Sequence, residues 1–213
     1  RGLSGAHHYF FSATRDAMNT FTFYYLRDAF HSPTLMNHIF LMRRGRVFKP
    51  VKTEVFKDES NPKRDKIVIE IPDSLSAALY VPYLDDALGL CFVSTEALLP
   101  RRRARSLALE LARGQLSRII RNQAERKINF DKSSREKLAR AGREFVRLTT
   151  QDPEGPEYET EAAEAFRTFW KLAKDCDDYF SDKTLKARAV GPKNWTTRLG
   201  VSADFGARFQ NDW

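Results

Sequence analysis

The sequence predicts an α+β chain: a small antiparallel β-sheet or sandwich module, then a three-helix connector, ending at the start of a buried strand. Three observations lead there. Between about 35 and 100, short runs rich in Val, Ile, Phe and Tyr are separated by polar turn clusters. After Pro100 the apolar residues recur every three or four positions instead. The 213 residues are 42% hydrophobic, enough to build a core.

Residues 1–34 form an aromatic-rich segment with two open readings. Met18, Phe21 and Tyr25 have partly helical spacing, whereas "TFTFYY" at 20–25 favours a strand. Pro33 in "HSPT" biases Ser32 out of helix and marks a boundary. The β-rich module, 35–100, starts with "LMNHIFLM", punctuated by Gly45, and continues through "RVFKPVKTEVF" with Val47, Val51 and Val55. After the polar turn "DESNPKRD", "KIVIEIP" alternates Ile67, Ile69 and Ile71 with other residues, the period of a half-buried strand. "SAALYVPY" and "LGLCFVST" add two strands around "LDDA".

The connector, 101–192, holds three helices. Leu109, Ala112, Leu116, Ile119 and Gln123 form one stripe of the first, with Arg113, Arg118, Arg121 and Arg126 beside or opposite it. Ser133 and Glu136 in "SSRE" predict a capping box for the second. The third opens at Pro156 and carries Tyr158, Ala162, Ala165, Phe169, Leu172, Cys176 and Tyr179 on one stripe. Gly191-Pro192 ends it, and 193–213, with "RLGVSADFG", reads as the start of a further domain. The missing initiator Met and an ending without turn or cap predict an excerpt from a longer protein.

A net charge of +8 invites a polyanion. Yet nine basic residues face two glutamates between 101 and 127, while ten acids face three basic residues between 152 and 182. Two oppositely charged helical stretches predict neighbours whose fields compensate, which a dedicated nucleic-acid domain rarely carries. Arg101, Arg102, Arg103 and Arg105 of "RRRAR" are the candidates for phosphate contacts in an alternative reading, a basic nucleic-acid-binding module. No zinc-finger, RRM or KH signature accompanies them.

Catalytic signatures are missing from the sequence. There is no GxxxxGK[ST], GxGxxG, GxSxG or HExxH pattern. Two cysteines 85 positions apart, Cys91 and Cys176, make neither a disulfide framework nor a zinc site and read as small buried hydrophobes. The acid pairs Asp58-Glu59, Asp85-Asp86 and Asp177-Asp178 read as solvated turn and helix-surface residues. No catalytic residue, metal or cofactor is assigned, and no run of eighteen apolar residues predicts a membrane span. Tyr80, on a predicted strand, and Trp195, in a predicted loop, are the candidates for stacking on a sugar face.

The order of segments "SAALYVPYLDDALGLCFVSTEALL", "LALELARGQLSRIIRNQ", two further helices and "RLGVSADFG" resembles the region that precedes the barrel in bacterial proteins related to family-10 glycoside hydrolases. The resemblance covers roughly 30–205, and "LELARGQLSRIIRNQ" is its distinctive part. It implies a carbohydrate-binding-like sandwich, a helical connector and, at Leu199-Gly200, the first strand of a (β/α)8 barrel. The first 30 residues and "DESNPKRD" depart from the pattern. Such a barrel needs about 200–250 residues, so the glutamates of the family would lie beyond Trp213. The expectation is a non-catalytic accessory region of a xylanase-like protein, with polysaccharide and the parent's C-terminal domain as partners.

Overall fold

The structure, a computed structural model, describes residues 19–30, 38–101, 103–126, 130–153, 155 and 157–190. The chain divides into two compact units, 1–177 and 178–213. The first unit is α+β, with two four-stranded sheets and three helices among its described residues. The strands are β1 (Thr20–Leu26), β2 (Phe40–Arg43), β3 (Arg46–Phe48), β4 (Lys52–Lys57), β5 (Arg64–Glu70), β6 (Ala77–Asp85), β7 (Gly89–Leu98) and β8 (Arg105–Ser106). One sheet runs β4-β5-β1-β8, the other β3-β2-β6-β7. Every pairing is antiparallel except β1 with β8. The predicted sandwich-like α+β architecture is therefore the one observed.

The ambiguous stretch at 20–25 is a strand, and its burial says why. Phe21, Phe23 and Tyr25 are buried while the residues between them are only half-buried, which is the two-residue period of a sheet. Phe21 lies opposite Ile69 and Phe23 opposite Ile67, so β1 and β5 give one continuous apolar face to the core. The sheet thus draws on residues before 35 and, through β8, after 100.

Strand β8 feeds directly into helix α1 (Leu107–Arg126). Ser106 closes the junction: its hydroxyl accepts from the Leu109 amide (3.3 Å) and donates to the buried Glu159 carboxylate (2.8 Å). Helix α2 (Lys132–Thr150) is capped by Asp131, whose carboxylate accepts from the Ser134 amide at 2.7 Å. The cap is therefore not the expected Ser133–Glu136 box. The helix begins one residue before Ser133, and a charged acceptor already satisfies the orphan N–H. Helix α3 (Tyr158–Val190) buries Tyr158, Ala162, Ala165, Phe169, Leu172 and Cys176 of the stripe its spacing predicts, while Tyr179 at its end is only half-buried.

The stripe of α1 is rotated from the expected one. Leu107, Leu111, Gln115 and Ile119 are buried at steps of four, with Ala108 and Ala112 beside them, whereas Leu109 and Leu116 are half-exposed. Gly114 supplies the cause. A Cβ there would fall inside contact distance of the Ser94 carbonyl oxygen and 3.0 Å from the Ser94 and Thr95 carbonyl carbons. The helix lies so close to β7 that only a hydrogen fits, and this approach sets which face is buried.

Between sheets and helix, Phe30 stacks on Phe166 (5.9 Å between centroids), and Tyr83 meets Phe166 and Trp170 edge-on at 5.2 and 5.8 Å. The second unit contributes the helical residues 178–190. There Lys186 pairs with Asp182 (2.7 Å), and the Lys183 ammonium lies 5.4 Å from the Tyr179 ring centre.

Candidate functional site: an arginine-rimmed groove

Side chains alternate across a strand, so the register of β2, β6 and β7 sorts their residues onto two faces. Leu41 opposite Leu79, and Val81 opposite Val93, are buried in the core. Phe40 opposite Tyr80, and Tyr80 opposite Ser94, share the other face. On that face a groove of about 670 Å³ is lined by Met42, Arg43, Tyr80, Ser94 and Glu96 from the strands, Arg44–Gly45 from the β2–β3 turn, and Ser74–Ser76 from the loop before β6. Gly114, Arg118 and Arg121 of α1 line it as well. The tight approach at Gly114 is what brings the helix against this face.

Tyr80 is held rather than free. Its ring stacks on Phe40 at 4.8 Å and 13°, and its hydroxyl donates to the Met42 sulfur at 3.6 Å. The pairing of β6 with β7 shifts register between Ala78 and Tyr80, and the Leu79 amide freed there donates to the Thr95 hydroxyl (3.0 Å). Bulges of this kind re-aim side chains beside binding sites.

The four arginines of the groove differ in their partners. Arg43 donates to Asp73 (2.8 Å) and to the carbonyls of Leu75 and Ser76 (3.0 and 2.9 Å), so its charge is compensated. Arg121 pairs with Glu96 at 2.8 Å. Arg118 donates to the neutral Ser94 hydroxyl at 2.9 Å, and among the described residues neither it nor Arg44 pairs with a carboxylate. Arg44 and Gly45 both have positive φ, 48° and 75°, forming the tight turn between β2 and β3. The left-handed region costs a non-glycine residue about 1–2 kcal/mol, so the turn holds a long cation where its backbone disfavours one.

Tyr80 is the predicted sugar-stacking residue that the structure places in this groove; Trp195 lies outside the described residues. The arginines of "RRRAR" do not act as one group. Arg101 and Arg103 are exposed, and Arg102 lies outside the described residues. Arg105 turns inward: it donates to the Leu99 carbonyl at 2.9 Å, lies 3.9 Å from Glu110, and burial draws its pKa down. The expected barrel strand at Leu199-Gly200 also falls outside the described residues.

Asp58 and Asp85, one acid from each of two pairs, have structural work rather than the solvated role expected of them. Asp58 caps its own turn by accepting from Ser60 and Arg64. Asp85 accepts from the Trp170 indole N–H (2.6 Å), Lys174 (3.0 and 3.3 Å) and the amides of Ala87 and Leu88. Trp170, then Lys174, hold its carboxyl well below the usual carboxylate range. Burial pushes both thiols up, Cys91 and Cys176 alike to about 11. Two further hollows run along α2 and α3, with ion pairs such as Arg147 with Glu144 and Glu161 in one and Lys137 with Asp175 in the other. Among the described residues no cluster of His, Cys, Asp and Glu is placed to hold a metal, and no helix is long and apolar enough to cross a membrane.

Arg43, Arg44, Arg118 and Arg121 were not among the sequence candidates. "RRGR" at 43–46 carried the signal, since a basic residue before glycine between two strands marks an exposed turn. The convergence of that turn with α1 has no local signature. No family model matches the chain, and it has no match among curated proteins or solved structures.

Proposed function

We propose that the chain is a non-catalytic accessory region that binds polysaccharide, within a parent related to family-10 glycoside hydrolases. The observation that carries this reading is Tyr80: an aromatic ring, braced on Phe40, bordering an open groove on a sheet face. A flat, immobilised ring offers the apolar face of a sugar a surface at little entropic cost, and concave sites with a few polar groups suit extended ligands. The Ser74–Ser76 stretch and the Ser94 hydroxyl supply polar contacts beside it. The helices fit the scaffold part of the role, because their acids and bases engage each other and the sheets.

The nucleic-acid reading through Arg101–Arg105 has less support. Arg105 is committed to Leu99 and Glu110, and among the described residues the exposed remainder is Arg101 and Arg103. Affinity electrophoresis through gels containing xylan, mixed-linkage glucan or mannan tests the proposal. Retardation on at least one glycan is expected, retained by Tyr80→Phe and lost in a folded Tyr80→Ala variant. Free migration in every gel, or retardation indifferent to Tyr80→Ala, would remove the binding role.

A further inference from the structure

We infer that the groove selects an acidic glycan, one whose sugar chain carries carboxylates, with Arg44 and Arg118 as the carboxylate-binding residues. The inference rests on the polysaccharide reading above and names its substrate class. The groove holds four arginines, but Arg43 is neutralised by Asp73 and Arg121 by Glu96. Among the described residues, two positive charges, on Arg44 and Arg118, are left without a carboxylate partner. Arg118 is positioned by a hydroxyl that cannot cancel its charge, which leaves other guanidinium donors for an incoming anion. Arg44 projects from a turn position where asparagine or glycine is preferred, so the residue is set there against the backbone's preference.

An arginine fork matches a carboxylate in a two-bond geometry, and Tyr80 lies in the same groove to receive a neutral ring. The number of free charges decides between polyanions. A nucleic-acid backbone carries a phosphate at every nucleotide, and binding it well takes several cationic contacts. Two uncompensated arginines and an acidic Glu96 in the lining suit sparse carboxylates along an otherwise neutral polymer.

Affinity electrophoresis and titration calorimetry with the full chain, on a glucuronic-acid-substituted xylan and the same polymer after carboxyl reduction, test the inference. The acidic polymer is expected to bind at least about tenfold tighter, a difference of about 1.4 kcal/mol. That preference should shrink in 0.5 M salt and vanish in Arg44→Gly and Arg118→Gln, each variant losing more affinity for the acidic polymer than for the reduced one. Arg44→Gly suits the turn's backbone, so it separates loss of charge from loss of fold. Equal affinity for the two polymers, or equal loss on both in the variants, would overturn the carboxylate assignment and leave glycan binding standing. No binding to either polymer would overturn both readings. Tighter binding to a single-stranded oligonucleotide than to the acidic xylan would identify nucleic acid as the occupant instead.

Discussion

Replacing Gly114 with alanine sets two opposed effects against each other, and their sum reports on how α1 sits. In an exposed helix interior the change would stabilise by about 1 kcal/mol, because alanine loses less backbone freedom on folding. Here the added methyl would press on the Ser94 carbonyl and the Ser94 and Thr95 backbone of β7. Backbone in a paired strand cannot swing aside as a flexible side chain would. Overpacking costs about 1–3 kcal/mol, and a contact this close belongs at the upper end. The expected balance is a net loss of about 2 kcal/mol. Urea unfolding followed by far-UV circular dichroism reads it as a lower midpoint at unchanged slope. A Gly114→Ala protein as stable as the parent, or more so, would refute the close approach and with it the helical wall of the groove.

Three further outcomes follow from the same contacts. Asp85→Asn should cost about 1.5–3 kcal/mol at pH 7 by weakening the bonds from Trp170 and Lys174. Because the folded carboxyl is held below its unfolded value of about 3.9, its contribution is complete above that pH. It is lost as pH falls further, so the gap between parent and variant should narrow by pH 3; a gap independent of pH would contradict the assignment. Gln115 is fully buried, and its amide oxygen and nitrogen have no hydrogen-bond partner among the described residues. Gln115→Met should therefore stabilise by about 1–2 kcal/mol in the same denaturation assay, and a clear destabilisation would show that the amide is satisfied. With both thiols raised to about 11, alkylation by iodoacetamide at pH 8 should be on the order of 100-fold slower in the native protein than after unfolding. Mass spectrometry follows the labelling, and native rates within tenfold of the unfolded ones would contradict the desolvation of half-buried Cys91 and buried Cys176.

What was legible in the sequence was what local period encodes. Ile67, Ile69 and Ile71 announced β5, and the apolar steps from Tyr158 to Cys176 announced the buried face of α3. The phase of α1 was not legible, because the two residues at the middle of its packed face are Gly114 and Gln115. A glycine and an amide interrupt an apolar stripe in any hydrophobicity reading, and Leu109 and Leu116 supplied a competing one. The β1 segment was ambiguous for a related reason: Met18, Phe21 and Tyr25 step partly as a helix while "TFTFYY" favours a strand, and only its partners β5 and β8, some 45 and 80 residues away, select the strand. Tyr80 could be named because an aromatic on a strand is a local feature. Its arginine neighbours come from a turn near 44 and a helix near 118, and only the folded sheet brings them together.

The proposed glycan would lie between α1 and the Tyr80 face of the sheet. Hydrogen–deuterium exchange of the full chain, with and without an acidic xylo-oligosaccharide, tests this most directly. Slower exchange is expected in peptides spanning 42–46, 76–80 and 114–121, with 132–150 unchanged. Protection confined to 101–105, or no protection at saturating oligosaccharide, would contradict it.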